Sequence, residues 1–121
     1  MASLASIFDR SSKDKAASTA DKRARRFAIK VAVQYRIRGE RQWRTGITKN
    51  MSASGVLFLA EQIEQPSTNI EMILVLPSEL SQEPGAQLIC HGSIVRALEP
   101  ADSRSLPALA STISHYRFTR P

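Results

Sequence analysis

Two short stretches carry side chains whose types and spacing could do chemistry. The first, KRARRF (22–27), sets Lys22, Arg23, Arg25 and Arg26 within five positions, directly ahead of an apolar alternation. Four cations this close repel one another unless an anion lies among them. Arginine suits that anion, because its planar fork grips a phosphate with two hydrogen bonds and its face stacks on a base. The second stretch, NMSASG (50–55), spaces Asn50, Ser52 and Ser54 at alternate positions, which in an extended segment point to one side of the ribbon. Gly55 then allows the backbone to turn or to approach a ligand closely. An amide and two hydroxyls on one side can hydrogen-bond a nucleobase or a phosphate. The same residues describe any hairpin turn, and a basic run describes any patch for nucleic acid or lipid headgroups. Neither stretch identifies a ligand by itself.

Other chemistries find less support. Cys90 is the single cysteine, which excludes an internal disulfide, and it reads as a small buried hydrophobe. The two histidines, His91 and His115, fall in separate strand-like segments with no carboxylate or nucleophile pattern beside them, so they read as strand or surface residues, and no cluster has metal-ligand spacing. Ser52 has no paired base, and there is no glycine-rich phosphate loop or spaced carboxylate pair. The expectation is a binding domain without a cofactor, not an enzyme.

The elements that must position these residues are strands. From Phe27 onward the period is two: Phe27, Ile29, Val31, Val33 and Tyr35 alternate with Ala28, Lys30, Ala32, Gln34 and Arg36. RGER (38–41) supplies a turn, QWRTGITKN (42–50) a second strand, and GVLFLAEQ (55–62) a third that forms a hairpin with it. IEMILVLPSEL (70–80) reads as a buried strand ending near Pro77, LICHGSIVRALEP (88–100) alternates again, and LASTISHYRFTRP (109–121) closes the chain. Six strands at this spacing predict an all-β domain, a small antiparallel barrel or sandwich.

At 121 residues the chain has the length of one domain. Residues 1–21, rich in Ala, Ser, Lys and Asp, cannot bury enough apolar area to offset the entropy of ordering, and read as a flexible basic N-terminal arm before a domain at 22–121. The net charge of +6 is concentrated at this end, where residues 1–30 hold eight basic side chains against three aspartates. Such asymmetry points to an anionic partner. No segment approaches the ~20 apolar residues of a membrane span and no secretion signal is evident, so a cytoplasmic setting is expected.

Taken in order, the arginine cluster, the first strand, NMSASGVLF and CHGSIVR resemble the PilZ domain family, bacterial receptors for cyclic di-GMP, over roughly residues 22–119. The family pattern is R-x-x-x-R before the first strand and D/N-x-S-x-x-G after the second. Asn50, Ser52 and Gly55 match the second half residue by residue. In the first half, Arg26 takes the second arginine position, which puts Lys22 four residues earlier, with Arg23 one step on. The resemblance implies a six-stranded antiparallel β-barrel with the dinucleotide on its outer surface, wrapped by the arginine segment. It also implies a ligand set of Lys22 or Arg23, Arg25, Arg26, Asn50, Ser52 and Gly55, and an adaptor that orders its arm on binding and signals to a protein partner. Two alternatives remain: a PilZ-like interaction module without ligand, favoured by Lys22, and a basic barrel for single-stranded nucleic acid. The last wants exposed stacking aromatics. With seven aromatics, of which Phe27, Tyr35, Phe58 and Phe118 fall on apolar alternations, nucleic acid ranks last.

Overall fold

The computed structural model describes residues 26–78, 85–100, 102 and 104–119, together with the backbone of 15–16. Its regular elements are strands: β1 (Lys15–Ala16), β2 (Ala32–Ile37), β3 (Arg44–Met51), β4 (Gly55–Leu59), β5 (Asn69–Val75), β6 (Gln87–Leu98), β7 (Ala108–Thr112) and β8 (His115–Thr119). Strands β2, β3, β4, β7, β6 and β5 pair in that order, and β5 returns to β2, so six antiparallel strands close into a barrel. Closure leaves no open edge in the ring, which is how a small β domain avoids edge-to-edge association.

The alternation read from the sequence is the alternation of the barrel wall. Val33, Tyr35, Phe58, Ile70, Met72, Leu74, Leu88, Cys90, Ile94 and Leu109 are buried inside, and the residues between them face outward. Tyr35 and Phe58 form the aromatic centre, with ring centroids 5.1 Å apart. Tyr35 also accepts a hydrogen bond at its hydroxyl from Glu61 N at 3.0 Å, so its polar tip is satisfied at the rim. Burial pushes the Cys90 thiol far up from its ordinary value, consistent with an inert packing residue.

Two features depart from a plain succession of six strands. The expected last strand breaks at Ile113–Ser114 into β7 and β8, because the twelve-residue β6 has two partners on one edge: β8 along Gln87–His91 and β7 along Ile94–Leu98. Ser114 holds the break by donating from both N and Oγ to His91 O, at 2.8 and 3.0 Å. Gly92 lies at this exchange, where any Cβ would collide with the Thr112 carbonyl. The other departure is at the start. Phe27–Val31 is not regular strand, although Ile29 and Val31 are buried as the alternation requires.

Of the segment expected to be a flexible arm, Lys15–Ala16 pairs antiparallel with Tyr116 and His115 on β8. The rest of residues 1–21 lies outside the described residues. Among the described residues no helix is long and apolar enough to cross a membrane, and no group of three His, Cys, Asp or Glu side chains is placed to hold a metal.

Candidate functional site

The lead-in to the barrel is tied to β3 at two points. Phe27 and Met51 exchange backbone hydrogen bonds, N to O, at 2.8 and 2.9 Å. Four residues on, the Thr48 hydroxyl donates to Ile29 O at 2.6 Å and accepts from Val31 N at 2.8 Å, while Thr48 N donates to Val31 O at 3.0 Å. Thr48 is fully buried, so these bonds are made where water cannot replace them. Residue 26 is therefore delivered to the outer surface beside the end of β3.

There the Arg26 Nε donates to Asn50 Oδ1 at 2.6 Å. The contact joins side chains twenty-four residues apart and unites the two stretches that sequence singled out. It also assigns the amide: with Oδ1 accepting from arginine, the Asn50 Nδ2 donors are left for another partner. The Arg26 Nη groups remain as a fork. Partial desolvation lowers the Arg26 pKa, yet an arginine stays charged at neutral pH. Gly55 lies beneath the guanidinium: a Cβ there would stand 3.7 Å from Arg26 Nη1 and 3.2 Å from Ser111 O. Gly55 does not have a left-handed φ. The glycine serves room and not the turn, since a Cβ would crowd the Ser111 carbonyl by a few tenths of an ångström and meet Arg26 at ordinary contact distance.

Asn50, Ser52 and Ser54 do not share one face of a ribbon. A bulge between Thr48 and Asn50 shifts the register of β3, so Thr48 and Met51 both point inward with Asn50 half-buried between them. β3 ends at Met51, and Ser52 donates from N to Gly55 O at 2.8 Å across a tight turn. The Ser52 side chain is buried, and its Oγ accepts from Ser54 N at 3.3 Å and lies 3.4 Å from Ser54 Oγ. Ser52 thus shapes the loop that presents Asn50 and Gly55. Lys22, Arg23 and Arg25 lie outside the described residues.

The PilZ domain model matches residues 21–114, which takes in both stretches and all of the barrel up to the β7–β8 break. The chain belongs to the PilZ domain family. Among solved structures this PilZ domain is similar to the Bacillus subtilis inhibitor of motility, MotI/DgrA, with a TM-score of 0.61 and 18% identity over 77% of this chain. The similarity covers 42% of MotI/DgrA, so the chain spans less than half the length of that protein, and at this identity the likeness is one of fold. No curated protein matches the chain.

Thr48 is the residue of this site that the sequence did not single out. The sequence pattern pointed away from it, since Trp43, Ile47 and Met51 set the apolar residues at odd positions, whereas in the structure Ile47 is exposed and Thr48 is the buried neighbour. The aromatics, in contrast, stand much as expected. Tyr35, Phe58 and Tyr116 are buried, Phe27 and Phe118 pack against the core, and the half-buried Trp43 lies under Arg36, whose Cζ is 4.4 Å from the ring centroid. No row of exposed stacking platforms exists among the described residues.

Proposed function

We propose that this PilZ domain is a cyclic di-GMP receptor that acts as an adaptor toward a protein partner. The observation that carries the reading is the Arg26–Asn50 pair at 2.6 Å, poised over the side-chain-free Gly55. What the pair presents is donors: the Arg26 fork and the Asn50 amide NH₂. Their complement is a ligand of acceptors, which describes both a phosphodiester and the O6/N7 edge of guanine. Arg25 and either Lys22 or Arg23 complete the cationic wrap in this reading. Ser52 contributes by holding the loop. Ligand binding then draws the N-terminal segment over the barrel surface, and the ordered segment is what the partner protein reads. The domain binds and relays, and needs no catalytic group.

Calorimetric titration of the full chain with cyclic di-GMP tests the proposal. Binding is expected in the parent and is expected to be lost in Arg26→Ala, a solvent-exposed substitution whose folded state is checked by circular dichroism. An Arg26→Ala variant that binds as well as the parent refutes the clamp.

A second reading, a PilZ module that works on protein partners without the dinucleotide, is favoured by one observation: Lys22 stands where the family pattern has its first arginine. Lysine keeps the charge and loses the fork. Absence of binding by both the parent and Lys22→Arg would select this reading.

A further inference from the structure

His91 and His115, which sequence places in unrelated segments, are direct register partners across the β6–β8 pair. Ile89 and Arg117 are the next partners on the same outward face. Arg38, from the turn after β2, reaches over this face and places its Nη2 3.0 Å from His91 Nδ1. With Ile89 these side chains line an open basin of about 270 Å³, which Tyr116 borders between His115 and Arg117 while its ring is buried in the core. None of its polar lining residues belongs to the Arg26–Asn50–Gly55 group.

The sign of the basin follows from its partners. A guanidinium can only donate, so in the Arg38 contact His91 Nδ1 accepts and the ring proton lies on Nε2, which makes that nitrogen a donor. The carboxylate facing His91 on β5 is Glu71, and it is taken up by Arg36 at 3.3 Å. Arg117 has no carboxylate within ion-pair distance among the described residues. Among the described residues, two guanidiniums and two imidazoles therefore converge without a balancing charge. Two histidines facing each other would ordinarily suggest a metal, but here one ring nitrogen is occupied and two fixed cations oppose a third.

We propose that this basin is a second anion site, taking a phosphate group, and that it is separate from the Arg26 site. Arg117 and Arg38 grip the phosphate oxygens, the imidazoles add hydrogen bonds, and Ile89 forms an apolar floor against which the organic part of a phosphate ester can lie.

The test is a titration of the full, 15N-labelled chain, followed through its histidine ring signals, with inorganic phosphate, with adenosine monophosphate, and with sodium chloride at matched pH and ionic strength. Saturable shifts of both rings with phosphate but not with chloride are expected. Arg117→Gln, an exposed substitution, should weaken the phosphate response about tenfold, the loss of one charge-assisted contact. Arg38→Gln should do the same, and Arg26→Ala should leave the response unchanged, whether or not that variant still binds cyclic di-GMP. A tighter fit of the monophosphate assigns the site to organic phosphates, and an equal fit assigns it to the free ion. Shifts that track ionic strength alone, or a phosphate response that Arg117→Gln does not weaken, overturn the proposal.

Discussion

Replacing Thr48 by valine would keep the shape of the side chain and remove the hydroxyl that ties the arginine-bearing segment to β3. In the native chain this oxygen donates to Ile29 O at 2.6 Å and accepts from Val31 N at 2.8 Å, inside a fully buried site. The variant leaves a carbonyl and an amide without these partners, and each orphaned group costs about 1–3 kcal/mol. The added methyl returns about 0.8 kcal/mol through apolar burial. A net loss of about 1–5 kcal/mol follows, a large share of the ~5–15 kcal/mol that holds a domain of this kind. Urea unfolding should show the loss as a lower midpoint at unchanged slope. Thr48→Ser serves as the control, since it retains the hydroxyl and gives up only a methyl. Amide exchange at Val31 should accelerate in the valine variant, and the Arg26 site should lose affinity for its anion because one of the two anchors of its backbone is reduced to the single bond from residue 48 N to Val31 O. A Thr48→Val protein within about 0.5 kcal/mol of the parent, a typical surface-substitution effect, would refute the argument that this hydroxyl fastens the lead-in.

Gly92→Ala should be among the most damaging single changes in the barrel: its Cβ meets the Thr112 carbonyl, a backbone atom that cannot move aside, so loss of cooperative unfolding or of soluble protein is expected. Ser52→Ala should lower stability by about 1 kcal/mol, because it removes the bond that shapes the loop, and should weaken dinucleotide binding less than Arg26→Ala does, as separate unfolding and calorimetric measurements would show. Lys22→Arg should tighten cyclic di-GMP binding if Lys22 holds the first arginine position. If Arg23 already fills it, that change should do little and Arg23→Ala should be as damaging as Arg26→Ala, so the three titrations separate the cases. Cys90 should resist a thiol reagent in the native protein and react on unfolding, since its burial disfavours the thiolate.

The all-β class and the lining of the core were legible in the chain itself. A strand's side chains alternate strictly, so the period of Val33 and Tyr35, or of Leu88, Cys90 and Ile94, states which face is inside before any partner is known. The order of arginine cluster, strands and NMSASG was enough for the family, because order along the chain is what a sequence carries. What alternation cannot carry is a local break in its own period. The bulge between Thr48 and Asn50 and the turn closed by Ser52 and Gly55 put Asn50 on the surface and Ser52 in the interior, where an unbroken ribbon would have put them side by side. Nor can it carry register. His91 faces His115, and Arg26 reaches Asn50, only because barrel closure fixes which residue stands opposite which across strands far apart in sequence. That choice is made by the long-range pairing energy of the whole wall, where a slip of one residue would turn every buried side chain of a strand outward. The sequence alone thus determined the wall and its family, and the tertiary structure decided which of its outward residues meet to form a site.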